Sequence, residues 1–228
     1  MNEPQPELKR FNVMLVEDHP MFRERLVELI NRESDMQVCA EADNIRDGFD
    51  AAVQHEPDLA VVDVSLNGGS GLELIKNFKA AGLEIPVLVL SMHDEALYAE
   101  RVLRAGGRGY ITKHEASAQI MTAIRRVING EIAVSPKAST KILATLGSKR
   151  GRASGVDRLT DRELEVFELI GRGRTTREIS IRLNLSAATV ETYRARIKEK
   201  LGLENARRLH EQAMRWVHDS QKPTVVAR

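Results

Sequence analysis

Residues 61–75 read "VVDVSLNGGSGLELI". An apolar, β-branched run stops at Asp63, passes through a bend containing three glycines, and resumes at Leu72 with the spacing of a helix face. That order is strand, turn, helix, the opening of a parallel βα unit. Asp63 is the difficulty, because an unpaired carboxylate at the end of a buried strand is costly or is forced to take up a proton. It either caps the turn or is held there for chemistry.

Outward from this stretch the same alternation fills the first half. Strands are expected at 11–16 ("FNVMLV"), 36–42 ("MQVCAEA"), 59–62 ("LAVV"), 86–90 ("PVLVL") and 109–111 ("GYI"). Helical spacing lies between them. Pro20 opens one helix with Phe22, Leu26, Leu29 and Ile30 on a face, and Ile45, Phe49 and Val53 mark the second. Leu74, Ile75 and Phe78 mark the third, Leu97, Val102 and Leu103 the fourth, and Ile120, Ile124, Val127 and Ile128 the fifth. Five strands alternating with five helices imply an α/β doubly wound, five-stranded parallel sheet over residues 10–131.

From 132 to 157 the pattern loosens into a linker. A short helix fits "TKILATL", but "GSKRGRASG" combines small residues with like charges that bury too little apolar surface to pack. Residues 158–218 return to helical spacing with clear start signals. Thr160 with Glu163 and Thr175 with Glu178 have capping-box spacing, Ser186 offers a third N-cap, Gly202 stops a helix and Asn205 opens another. A small all-α, four-helix domain follows, with 219–228 as a frayed tail.

Charge divides along the same line. Residues 1–134 hold 14 Lys+Arg against 22 Asp+Glu, a balance of −8, and residues 135–228 hold 20 against 11, a balance of +9. An acidic half suggests a cation or phosphate site and a basic half a polyanionic partner. The single cysteine, Cys39, excludes an internal disulfide and a Cys-rich zinc site, and is read as a small core residue. "MNEPQPELKR" has no apolar core of signal-peptide length and no run reaches membrane-spanning length, so a soluble, cytoplasmic protein without a membrane partner is expected. His19, His55, His93 and His114 lack metal-ligand spacing and are read as surface or loop residues.

In open α/β sheets functional groups gather beyond the carboxyl ends of the strands. Glu17 and Asp18 end the first strand, Asp63 the third and Ser91 the fourth, while Lys113 follows the fifth. Three carboxylates so placed raise one another's pKa unless a cation holds them, and a hard divalent ion with oxygen ligands fits. An ionised Asp63 could then attack a phosphoryl group, with Lys113 and the Ser91 hydroxyl against its equatorial oxygens. "GGSG" lacks the Lys-Ser/Thr of a P-loop and is read as a turn.

"MLVEDHP", "VVDVSL", "VLS" and "GYITK" together resemble the receiver domain of bacterial response regulators. The resemblance implies Asp63 as phospho-acceptor and a sensor histidine kinase as donor. It implies Mg²⁺ on Asp18, Asp63 and the Ser65 backbone carbonyl, with Glu17 acting through water. It makes Ser91 the switch hydroxyl, Tyr110 the switch aromatic and Lys113 the cation. The chain departs where relatives often carry Met-Pro, having Leu66 and Asn67.

Residues 177–201 fit a helix-turn-helix, "REISIRLNL" supporting and "SAATVETYRARIKEKLG" reading. Val190, Ile197 and Leu201 share one face, so Glu191, Thr192, Ala195, Arg196 and Glu199 point outward. Arg194, Arg196, Lys198 and Lys200 form a positive band suited to phosphates. "LTDRELEVFELIGRGRTTREISIRLNLSAATVETYRARIKEKLG" resembles the LuxR-type DNA-binding domain of the NarL/FixJ subfamily. By that resemblance Glu191, Thr192 and Ala195 face base edges, and Thr189, Arg194, Arg196 and Lys198 are candidate backbone contacts. Glu191 and Ala195 stand where relatives often have lysine. The resemblance also makes Leu209, Ala213, Trp216 and Val217 a dimerisation element, against the alternative that they merely close the bundle.

The expectation is a transcriptional response regulator, not an enzyme beyond its own phosphorylation and dephosphorylation, and a homodimer on a two-fold site in double-stranded DNA at least when active. Two rivals are an aspartyl-phosphate phosphatase, whose usual second acid is replaced by Ser65, and a phosphorylation-independent DNA-binding dimer.

Overall fold

The most continuous apolar runs, 59–63 and 87–91, become central strands buried on both faces, and 36–42 becomes a partly exposed edge strand. In the computed structural model, which describes residues 10–67, 69–93, 95–147 and 155–221, β1 (Phe11–Val16), β2 (Met36–Ala42), β3 (Leu59–Asp63), β6 (Val87–Ser91) and β7 (Gly109–Thr112) form one parallel sheet in the order β2-β1-β3-β6-β7. Between them run α1 (Pro20–Asn31), α2 (Ile45–His55), α3 (Gly71–Ala80), α4 (Glu95–Ala105) and α5 (Ser117–Ile128). Val13, Leu15, Val61, Leu88 and Leu90 meet Leu26, Ile30, Ile120, Ile124 and Val127 in the core on one side of the sheet. Both faces being covered is what a near-continuous Val/Leu strand pattern requires.

Two features depart from the sequence reading. β4 (Ser65–Leu66) and β5 (Gly69–Ser70) pair antiparallel, a hairpin too short for a hydrophobic alternation to announce it. Leu66 is buried in it, which braces the loop where Met-Pro is missing. Gly69 and Ser70 form the hairpin's second strand, and the Ser70 hydroxyl accepts from the Leu72 N–H as N-cap of α3. On α2 the buried positions are Gly48 and Ala52, while Val53 is 52% exposed. A Cβ on Gly48 would sit 3.2 Å from Val16 and Leu74, so this helix packs by being small where the sheet is close. Cys39 is half-buried rather than fully in the core.

The chain divides into two compact units between Ser135 and Pro136. The expected linker is more structured than its composition suggests. α6 (Pro136–Gly147) begins at a proline, whose missing N–H costs nothing at a helix start, and a 3₁₀ turn covers Gly155–Arg158. The remainder of "GSKRGRASG" and residues 222–228 of the expected tail lie outside the described residues.

The second unit contains α7 (Asp161–Gly171), α8 (Thr176–Arg182), α9 (Ala187–Leu201) and α10 (Ala206–Gln221). Each expected cap is made: Thr160 and Thr175 accept from the Glu163 and Glu178 N–H groups in reciprocal boxes, Ser186 accepts from Thr189, and Asn205 from Arg208. Gly202 ends α9 at φ +65°, a left-handed conformation that glycine adopts without a Cβ penalty. Leu209, Ala213 and Val217 are buried, and Trp216 lies 5.6 Å from Phe167 of α7 between ring centroids. All four take part in closing the bundle, Trp216 while remaining half-buried. Gly171 of α7 is so close to α10 that a Cβ there would lie 2.5 Å from the Ala213 carbonyl oxygen. Among the described residues no helix is long and apolar enough to cross a membrane.

Candidate functional site

The sheet register delivers the carboxylates to one edge. Val16 pairs with Val62, so Glu17 and Asp63 leave their strands side by side. Asp63 is level with Leu90, placing Ser91 and its partner Thr112 one step further out. Lys113 is the next residue, tied by its N–H to the Ser91 carbonyl at 2.8 Å.

The Lys113 ammonium is the hub. It donates to Asp63 Oδ2 at 2.7 Å, lies 2.5 Å from Glu17 Oε2, and sits 4.8 Å from the centroid of the Phe22 ring. Its side chain is only 4% exposed, buried against two acids. Burial pushes the Asp63 carboxyl up from 3.8 to about 6, against the pull of Lys113 and with help from the Glu17 and Asp18 charges. Burial also raises Asp18, partly offset by His19.

Asp18 Oδ1 is buried without a hydrogen bond. It does lie 2.8 Å from His19 Nδ1, but the approach lacks hydrogen-bond geometry. Carboxylate oxygens of Glu17, Asp18 and Asp63, with a ring nitrogen of His19, all fall within 4.8 Å of one another and could hold a metal ion. The all-oxygen carboxylate set and the orphaned Asp18 oxygen fit a hard divalent cation. His19 therefore belongs to the pocket, bonded to Glu17 Oε1 at 2.9 Å, although its spacing gives no sign of it.

His93 is a loop residue, as expected, but it does not lie at the surface. It follows β6 and is 5% exposed. Its N–H donates to Ser91 Oγ at 3.1 Å, its carbonyl accepts from the Tyr110 hydroxyl at 2.9 Å, and its Nε2 lies 3.1 Å from Ser65 Oγ. Its ring packs 4.8 Å from Tyr98 between centroids. Ser65, Ser91 and Tyr110, singled out separately, are thus joined through one residue that lone-histidine reasoning sets aside.

Gly71 explains the glycine bend. Its N–H donates to the Val64 carbonyl at 2.7 Å, and a Cβ on it would fall 1.9 Å from the Asp63 carbonyl oxygen. Only glycine lets α3 start this close to the Asp63 backbone.

In the second unit Glu191, Thr192, Ala195 and Arg196 are exposed on α9, whereas Val190 and Ile197 are buried. Thr189 is half-buried beside its cap, 2.8 Å from Ser186 Oγ. Arg162 Nη2 donates to the Leu183 carbonyl at 2.8 Å, holding the turn between α8 and α9. Lys200 departs from the expected basic band. Its ammonium is 2.6 Å from Glu163 Oε2 in the α7 cap, so it braces the bundle. Lys198 is half-buried and Arg196 stays exposed on that band.

The chain matches the response regulator receiver domain over residues 13–125 and the bacterial regulatory proteins of the luxR family over 157–213. It is 30% identical to oxygen regulatory protein NreC of Staphylococcus carnosus (strain TM300), over 89% of this chain and 96% of that one. The chain is a LuxR-type response regulator. The regulator is also 31% identical to transcriptional regulatory protein DesR of Bacillus subtilis (strain 168), over 85% of this chain and 92% of its relative. A crystal structure of a LuxR-family two-component response regulator from Aurantimonas sp. SI85-9A1 aligns with TM-score 0.56 and 30% identity, covering 60% of this chain and 99% of that one. The subfamily to which this places the regulator is NarL/FixJ.

Proposed function

We propose that the regulator accepts a phosphoryl group on Asp63 from a sensor histidine kinase and that this change controls DNA binding by its helix-turn-helix. The observation that carries the reading is the state of Asp63 itself. Oδ2 is held by Lys113, and a carboxylate oxygen of Asp63 lies within 4.8 Å of one from Glu17 and one from Asp18. Asp18, Asp63 and the Ser65 carbonyl would hold Mg²⁺, with Glu17 acting through water. The ion supplies positive charge against the phosphoryl oxygens and keeps Asp63 ionised near neutral pH.

In the transfer, Oδ1 of Asp63 attacks phosphorus in line with the leaving imidazole nitrogen of the kinase's phosphohistidine. The P–N bond breaks as the aspartyl P–O bond forms. Lys113 Nζ and Ser91 Oγ stabilise the equatorial oxygens. Turning Ser91 Oγ toward the phosphoryl group takes the acceptor from the His93 N–H, and the His93 carbonyl carries the Tyr110 hydroxyl. This chain of contacts supports Ser91 and Tyr110 as the switch pair.

Thr189, Arg194, Arg196 and Lys198 would meet phosphates while Glu191, Thr192 and Ala195 face the major groove. The active form would be a homodimer on a two-fold site in double-stranded DNA. Leu209, Ala213, Trp216 and Val217 on α10 would be its dimerisation element. The setting is cytoplasmic, and the protein turns over no substrate other than its own phosphoryl group.

The test is intact mass after incubation with acetyl phosphate and Mg²⁺. One phosphoryl adduct that requires the metal and is absent in Asp63→Asn is expected, with tighter binding to a selected promoter fragment. A folded protein with no adduct would refute phospho-acceptance and leave phosphorylation-independent DNA binding.

A further inference from the structure

The reading face of α9 carries an acid among its bases, and that acid is held. Glu191 stands in the second turn of α9 with its side chain 59% exposed. Thr176 Oγ1, at the first position of α8, donates to Glu191 Oε1 at 2.7 Å. Arg194 Nε lies 3.5 Å from the same oxygen. Among the described residues Oε2 takes no hydrogen bond, so one carboxylate oxygen is anchored from two elements while the other is left unbonded on a largely exposed side chain. Such anchoring removes rotamer freedom before binding, which lowers the entropic cost of a directed contact.

Building on the DNA-reading function proposed above, we infer that Glu191 is a specificity-determining residue that selects a cytosine in each half-site. The recognition helix meets base edges with its N-terminal residues, where Glu191 stands. In the major groove cytosine presents only an N4 amino donor, which a carboxylate accepts. Guanine presents two acceptors, thymine an acceptor and a methyl group, and adenine a donor beside the N7 acceptor. An anionic oxygen is repelled by every acceptor in that set, so a C·G pair oriented with C toward Glu191 is the one match. The same charge opposes phosphates, so Glu191 gives up non-specific affinity in exchange for discrimination. Arg194, being held on Glu191, is placed at the rim of the reading face for backbone contact.

The experiment uses the full-length protein treated with acetyl phosphate and Mg²⁺, first to select binding sites from a randomised duplex library. Competition binding is then measured for wild type, Glu191→Ala, Glu191→Gln and Thr176→Val on the selected site and on its single base-pair variants. Wild type should lose about tenfold or more when one particular C·G pair per half-site is replaced, within the range for one mismatch. Glu191→Ala should reduce that ratio to within about twofold, keep the preferences at other positions, and bind random DNA more tightly. Thr176→Val should weaken discrimination at the same pair, with the circular dichroism spectrum unchanged. A wild-type protein that selects a motif while Glu191→Ala and Glu191→Gln retain every preference would overturn the role of Glu191 and leave DNA reading intact. Loss of discrimination at a pair other than C·G would overturn the base assignment. Selection of no motif by the wild type would overturn the inference together with the reading it rests on.

Discussion

Removing the Asp63 charge should stabilise the metal-free receiver unit at neutral pH. The carboxyl is 4% exposed, and its burial beside Glu17 and Asp18 raises its pKa from 3.8 to about 6 even with Lys113 bonded to it. An acid with a raised folded pKa binds its proton more tightly in the native state, so stability falls as pH rises through the interval between the two values and levels off above it. The interval here is roughly pH 4 to 6. Its width of about 2 pH units, at about 1.36 kcal/mol each, gives a penalty on the order of 3 kcal/mol at pH 7.5. Asp63→Asn keeps the shape without the charge and escapes that penalty.

For a unit of this size the gain corresponds to a midpoint higher by on the order of 10 °C. The gap should close as the pH is lowered toward 4, where wild-type Asp63 is protonated, and should narrow when Mg²⁺ is added to the wild type at neutral pH. Calorimetry in chelator-treated buffer, with far-UV circular dichroism alongside, reads the receiver transition. The single tryptophan, Trp216, lies in the other unit, so its fluorescence reports a transition that the substitution should leave in place. An Asp63→Asn protein no more stable than wild type at pH 7.5, or equally more stable at pH 4 and 7.5, would refute the electrostatic account.

Lys113→Ala leaves Glu17 and Asp63 buried without their cation, so the Asp63 pKa should climb above its present value, seen by carboxyl NMR titration. Phosphorylation by acetyl phosphate should slow at least tenfold in the same variant. Gly71→Ala places a Cβ against the Asp63 carbonyl and should cost about 2 kcal/mol or more in urea denaturation while reducing the phosphorylated fraction. Thr160→Ala removes the N-cap of α7 and should lower the midpoint of the Trp216 transition by about 1 kcal/mol of stability, with phosphorylation of Asp63 unchanged. Tyr110→Phe should leave the phosphorylation rate within about twofold but weaken the phosphorylation-dependent gain in DNA binding, since the hydroxyl contact to the His93 carbonyl is lost.

Local order was legible in the sequence to a large degree. Strand and helix periods, four side-chain caps, the stop at Gly202 and the succession of Glu17, Asp18, Asp63, Ser91 and Lys113 at strand ends all follow from short-range rules. A residue's period and its capping atoms depend on neighbours within one turn or one strand. Those residues even predicted a charged site, because acids at buried strand ends demand a cation.

What only the tertiary structure decided is which distant groups meet. The strand order β2-β1-β3-β6-β7 sets Glu17 beside Asp63 and brings Lys113 across to both. It also converts His93 from a loop residue into the link among Ser65, Ser91 and Tyr110. In the other unit helix packing pairs Lys200 with Glu163, and Leu209, Ala213, Trp216 and Val217 help to close the bundle. Gly48 and Ala52 carry no hydrophobic signal, yet the close approach of β1 and α3 puts them, and not Val53, against the core. Apolar periodicity says which face of an element is buried, but the partner it meets depends on how elements far apart in the chain dock. That is a property of packing geometry and shape, to which no local pattern in the sequence refers.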